Sequence, residues 1–160
     1  MTEIERKFLV KDDSWRGEVT ETKPLRQGYI ATEAAASVRV RIDGNEARLT
    51  IKGKKTRGAG PEFEYAIPME DAEALLETCA KKPFIEKNRH IVRRDGLVWE
   101  VDEFFGENAG LIVAEVELTS PDQEIPLPEW IGREVTADSR YANARLVQTP
   151  YAAWPENLKK

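Results

Sequence analysis

The sequence predicts an α+β domain that is predominantly antiparallel β, with eight strands able to close into a barrel and a few helices flanking it. Three observations predict it. Eight segments alternate polar and apolar side chains with the period of two that belongs to a strand with unlike faces. Asp43-Gly44 and Asp95-Gly96 stand between neighbouring segments, where tight hairpins place such pairs. Mid-chain, residues 69–82 carry a convincing helical stripe, so helices are accessories to a sheet.

The first segment, residues 2–10, sets Glu3, Glu5 and Lys7 on one face and Ile4 and Phe8 on the other. Residues 11–23 mix charges around Trp15 and read as a loop with at most a helical turn. Pro24 opens a second strand over 25–32, with Leu25, Gln27, Tyr29 and Ala31 on one face and Tyr29 in the core or lining a site. In residues 37–43 Arg39 and Arg41 oppose Val38, Val40 and Ile42, and in 46–52 Arg48, Thr50 and Lys52 oppose Ala47, Leu49 and Ile51. That hairpin has one basic face and one aliphatic face.

Residues 53–61, rich in Lys, Arg and Gly, read as an exposed flexible loop. Residues 62–67 set Glu62 and Glu64 against Phe63, Tyr65 and Ile67. The helix over 69–82 lines up Ala72, Leu75, Leu76 and Cys79 to cover the sheet, which makes Cys79 a small core residue. Residues 84–94 carry Lys87 and Arg89, with His90 on the opposite face as a structural residue. Residues 97–104 oppose Glu100 and Asp102 to Leu97, Trp99 and Val101, and residues 112–118 oppose Glu115 and Glu117 to Ala114, Val116 and Leu118. Residues 119–128 are polar and irregular, 139–147 form a short capped helix, and the tail from Pro150 is loosely held. Trp130 and Trp154 fit either a core or an interface.

At 160 residues the chain fits one domain with a real core. Lys and Arg total 24 against 29 Asp and Glu, and this acidic balance argues against a general nucleic-acid binder. Cys79 is the single cysteine, so no internal disulfide forms; no signal-like or bilayer-length apolar run occurs, so the cytoplasm is the expected compartment.

The polar faces sort by sign. Glu3 with Glu5, Glu62 with Glu64, Glu100 with Asp102 and Glu115 with Glu117 stand against Arg39 with Arg41, Arg48 with Lys52, and Lys87 with Arg89. A sheet with its charged side in water and cross-strand ion pairs would account for charge, though it has little need of like-charged pairs on one strand. If the charged face turns inward, the lumen holds acids for a hard divalent ion and bases for a polyanion.

In this order the residues resemble the signature of the CYTH family, the triphosphate tunnel metalloenzymes: Glu3, Glu5 and Lys7, then Arg39 and Arg41, Lys52, Glu62 and Glu64, Lys87 and Arg89, Glu100 and Asp102, Glu115 and Glu117. The resemblance spans residues 1–148 and leaves 149–160 as a C-terminal tail. It implies an eight-stranded tunnel and metal-dependent chemistry on a triphosphate. Arg26 to Tyr29, Glu134 to Thr136, and Arg140 with Tyr141 fit the short bacterial members that resemble inorganic triphosphatases.

The roles that follow are phosphate binding for Lys7, Arg39, Arg41, Lys52, Lys87 and Arg89, and Mg2+ or Mn2+ binding for Glu3, Glu5, Glu115 and Glu117, with Asp102 helping. Glu5, Lys7, Glu62, Glu64 and Lys87 form the catalytic set, in which Glu62 and Glu64 activate water or orient arginines. The expected substrate is small and polyanionic, met by a monomer or homodimer without nucleic acid or membrane. Class IV adenylate cyclase, thiamine triphosphatase and a non-catalytic polyphosphate-binding module are the alternatives.

Overall fold

The computed structural model describes residues 2–33, 35–56 and 59–159. Nine strands form one sheet: β1 (Thr2–Val10), β2 (Val19–Thr32), β3 (Ala36–Asp43), β4 (Glu46–Gly53), β5 (Ala59–Ala66), β6 (Ile85–Arg94), β7 (Leu97–Phe104), β8 (Ile112–Glu117) and β9 (Ile131–Glu134). Two α-helices accompany them, α1 (Met69–Thr78) and α2 (Asn143–Gln148). Neighbours run β5-β4-β3-β2-β6-β7-β8-β1-β9, and β1 also pairs with β5, so eight antiparallel strands close on themselves. Closure removes the free edges of an open sheet.

β1 makes the closure. Its residues Glu5 to Leu9 pair with β8, while its other edge is divided between β5 at Thr2 to Ile4 and β9 at Phe8 and Val10. The expected eight strands are therefore the barrel, and β9 is an addition whose four residues carry too little alternation to be read as a strand. β2 is longer than expected, because Val19 to Lys23 pair with β6 beyond Pro24. Pro24 falls one residue past Leu25, the last partner of β3, where a missing N–H costs little.

Outward-facing side chains build two apolar clusters. Phe8, Trp99 and Trp130 pack edge to face, with centroids 5.7 and 5.8 Å apart, beneath the turn Ser14–Glu18, whose Trp15 lies on His90. Trp130 is therefore a core residue. On the other side α1 lays Ala72 and Leu76 over Val40, Ile42 and Ala47. A Cβ on Gly28 of β2 would come within 2.9 Å of Leu76 and Ala80, so glycine lets the helix approach.

Two expectations fail at the end of α1. The helix stops at Thr78 rather than at residue 82, and Cys79 is exposed rather than in the core. The backbone N–H groups of both Cys79 and Ala80 bond to the carbonyl of Leu75, which turns the chain and brings Ala80 toward the sheet.

A third cluster joins Tyr29, Ile85, Phe104, Leu111 and Val113 to Val135, Tyr141, Leu146, Val147 and Trp154. Ile85, Phe104 and Val113 share strand faces with the charged residues, so one end of the interior is apolar and capped by α2. The C-terminal segment is held rather than loose: Trp154 is buried against Tyr141, and its indole N–H donates to the carbonyl of Thr149. Among the described residues no helix is long and apolar enough to cross a membrane.

Candidate active site

The charged faces meet in a cavity of about 970 Å3 inside the barrel. Strand register decides which charges are neighbours. Glu5 stands opposite Glu117, and Lys7 opposite Glu115, which in turn pairs with Glu100. On the far side Arg39 stands opposite Thr50, Thr50 opposite Glu64, and Lys52 opposite Glu62. Arg89 stands opposite Asp102.

The acidic wall comprises Glu3, Glu5, Glu115 and Glu117, joined by Glu62. Lys52 Nζ lies 3.0 Å from Glu3 Oε1 and 3.7 Å from Glu62 Oε2, and Lys7 Nζ lies 3.9 Å from both Glu5 and Glu115. Lys55 reaches in from the loop after β4, with Nζ 3.0 Å from Glu3 Oε1 and 2.6 Å from Glu5 Oε1. Burial raises the Glu115 carboxyl above its ordinary range, and so does the neighbouring charge of Glu5. Burial together with Glu3, Glu100 and Glu5 does the same to Glu117. Glu62, hydrogen-bonded to Glu3 and partly desolvated, is pushed up to about 7. Burial works against ionisation of Glu3, but the bond from Glu62 and the charges of Lys52 and Lys55 outweigh it and hold Glu3 well below the usual range.

The basic wall is organised differently. Asp102 is fully buried and takes Lys87 Nζ at 2.7 Å, Arg89 Nε at 2.8 Å and Arg89 Nη2 at 2.9 Å, so both its oxygens are engaged. Burial opposes the charge on Asp102, but Arg89 and Lys87 keep it ionised. Lys87 also donates to Asn143 Oδ1 at 3.2 Å, to which Gln27 Nε2 donates at 3.3 Å, while Gln27 Oε1 accepts from Arg41 Nε at 2.8 Å. Burial, only partly offset by Asp102 and reinforced by Arg89 and Arg41, brings Lys87 down to about 7. Burial and the charges of Arg39 and Arg89 bring Arg41 down to about 10. Arg39 is nearly buried, and its Nε has no hydrogen-bond partner among the described residues. Asp102 thus pairs Lys87 and Arg89, Arg89 also reaches Glu100 at 3.3 Å and Arg39 reaches Glu64 at 4.0 Å, while Arg41 makes no ion pair among the described residues.

Of the residues expected from sequence, Glu3, Glu5, Lys7, Arg39, Arg41, Lys52, Glu62, Glu64, Arg89, Glu115 and Glu117 line the cavity. Lys87 and Asp102 lie behind its wall. Sequence reasoning missed Lys55, because it belongs to a loop with no alternation to assign it a face, and the neighbouring residues 57 and 58 lie outside the described part. It also missed Asn143 and the lining residues Ala137 to Ser139, and it named Thr136 without giving it a place in the site; all approach from the C-terminal segment. Nothing local in the sequence connects them to the barrel.

An all-carboxylate donor set is what a hard divalent ion takes, and Glu115 and Glu117 stay raised although Lys7 lies 3.9 Å from Glu115 and Lys52 acts on Glu117. The residues therefore fit Mg2+ or Mn2+ in kind. Among the described residues no three carboxylates converge as they stand on a single coordination point, and lysine ammonium groups sit between them.

Comparison with known proteins agrees with this geometry. Residues 1–151 match the model of the CYTH domain. An inorganic triphosphatase of Acetivibrio thermocellus is 45% identical over 154 residues, covering 96% of this chain and 98% of the relative. One from Nitrosomonas europaea is 38% identical over 151 residues, covering 91% and 97%. A crystal structure described as an inorganic triphosphatase superposes with a TM-score of 0.66 at 37% identity, covering 91% of this chain and 97% of that one. With the signature residues turned into one lumen and the match running almost end to end, this chain belongs to the CYTH family.

Proposed function

We propose that the protein hydrolyses inorganic triphosphate to pyrophosphate and phosphate in the barrel lumen, with Mg2+ or Mn2+ as cofactor. The observation that carries this reading is the cluster of Arg39, Arg41 and Arg89 facing a wall of carboxylates across one cavity. A neutral or cationic substrate would leave Arg41 without paired counter-charge and Arg39 Nε without a partner among the described residues. A chain of phosphates supplies both, and guanidinium groups can hold phosphate oxygens in pairs. The relatives named inorganic triphosphatase support the same substrate.

Glu3, Glu5, Glu115 and Glu117 would hold the metal, which would supply Lewis-acid withdrawal of charge from a bound triphosphate. Arg39, Arg41, Arg89, Lys7 and Lys52 bind the phosphate chain and neutralise the charge that collects on the departing pyrophosphate. Asp102 and Lys87 stand behind them, so we assign Asp102 to fixing Arg89 rather than to the metal. A water oxygen attacks the terminal phosphorus, the bond to the bridging oxygen breaks, and the proton released from water must find an acceptor. We assign that role to Glu62, whose carboxyl is pushed up to about 7 and becomes an acceptor once it has released the proton it shares with Glu3. Glu64 is engaged by Arg48 and Thr50 and serves to position the wall.

Tyr29 is the single aromatic ring among the described lining residues, so little is offered to a nucleobase or a thiazolium ring. Phosphate release from tripolyphosphate, ATP, thiamine triphosphate and pyrophosphate, each with Mg2+, Mn2+ or chelator, tests the reading, with cyclic AMP measured alongside. Metal-dependent release from tripolyphosphate well above the others is expected. Cyclic AMP from ATP, or calorimetric binding of tripolyphosphate with no release, would overturn it.

A further inference from the structure

We infer that Lys55 is a built-in counter-cation of the acidic wall, holding Glu3 and Glu5 with its own ammonium and giving them up when a divalent ion binds; this rests on the metal assignment above. The contact is specific. Lys55 Nζ touches one oxygen of each carboxylate, at 3.0 and 2.6 Å, and no other lysine among the described residues bridges these two side chains. Those are the carboxylates on which the metal assignment depends.

The backbone holds Lys55 in place. Thr56 and Ala59 exchange two hydrogen bonds, N–H to carbonyl, at 2.7 and 3.0 Å, which tightens the loop between β4 and β5. A Cβ on Gly60 would stand 2.9 Å from the carbonyl oxygen of Lys54 and 3.1 Å from Cα of Lys55, so the loop closes this far only over glycine. Lys55 is thus fixed by its main chain and free to move by its four-carbon stem.

An ammonium at hydrogen-bond distance and a divalent ion compete for the same carboxylate oxygens, because their like charges would lie within a few ångströms of each other. Metal binding therefore displaces the Lys55 head group. Lys55 lines the cavity, as Lys52 does, so the lumen offers the displaced ammonium room. The cost of displacement is subtracted from the affinity for the metal. By linkage, removing Lys55 removes that cost.

The test is Mn2+ binding by calorimetry with no triphosphate present, on the parent, Lys55→Met and Lys55→Arg. Lys55→Met should bind Mn2+ about tenfold more tightly, within the usual range of coupling between two sites. Lys55→Arg, which keeps the charge, should remain close to the parent. Equal or weaker binding by Lys55→Met would overturn the inference, as would equal tightening by Lys55→Arg, since charge would then not be the cause. Absence of saturable binding in the parent would overturn the metal assignment together with it. A circular dichroism spectrum like the parent's shows that each variant is folded.

Discussion

The two walls of the lumen solve the same electrostatic problem in opposite ways. On the basic wall the innermost counter-charge is a fixed, fully buried carboxylate, Asp102, locked by three short bonds to Lys87 and Arg89. On the acidic wall the counter-charges are lysines, Lys52 from a strand and Lys55 from a loop, whose heads are partly exposed on flexible stems. A buried fixed ion holds a scaffold in one geometry, whereas a hydrated ammonium can be exchanged for another cation. One wall is made to keep its shape, and the other to change partners.

The largest effect should come from breaking the fixed side. Asp102→Asn leaves buried Lys87 without its carboxylate and Arg89 with Glu100 alone, and should cost about 3–5 kcal/mol of stability, read from the denaturant midpoint. Mn2+ affinity should change far less than it does in Glu5→Gln. A strong loss of metal binding in Asp102→Asn would return Asp102 to the metal ligands and erase the contrast between the walls.

Glu5→Gln or Glu117→Gln should abolish most metal-dependent turnover, by at least about 100-fold, with little loss of stability. Unchanged turnover in either would remove that residue from the metal set. Arg39→Ala comes next. The loss of charged hydrogen bonds to phosphate predicts about a tenfold to 100-fold fall in kcat/KM for tripolyphosphate. A change within about twofold would deny Arg39 its place on the substrate.

The smallest effect is a proton count. Lys87, brought down to about 7 by burial and by its cationic neighbours, holds its proton only partly at neutral pH. Its folded pKa lies below the unfolded lysine value, so the penalty of burying its charge is full below pH 7 and is relieved as pH rises toward 10. A polyanion beside the wall reverses the balance and should draw in a fraction of a proton. Calorimetry of tripolyphosphate binding in buffers of different ionisation enthalpy should show more proton uptake by the parent than by Lys87→Met. Equal uptake would mean that Lys87 is already fully charged.

Much of the barrel is legible in the chain. Residues such as Arg39 and Val40, or Glu115 and Val116, alternate because each strand separates a wet face from an apolar one. The lining residues of β1, β3, β4, β5 and β8 are read from that alternation. Lys87 and Asp102 alternate just as well, yet lie behind the wall, since period two assigns a face and not a depth. Cys79 was misplaced because a helical stripe says nothing of where the last turn unwinds, and β9 and the C-terminal turns are too short to show a period.

By itself the sequence determined which side chains share a face and that those faces sort by sign, because both follow from local backbone geometry repeating every two residues. Tertiary structure alone decided that the charged face turns inward, that Asp102 closes on Arg89 and Lys87, that Asn143 reaches Lys87 from α2, and that Lys55 enters between Glu3 and Glu5. Each of these depends on register and closure between segments far apart in the chain, where the energy of pairing is set by distance in space and leaves no period in the sequence.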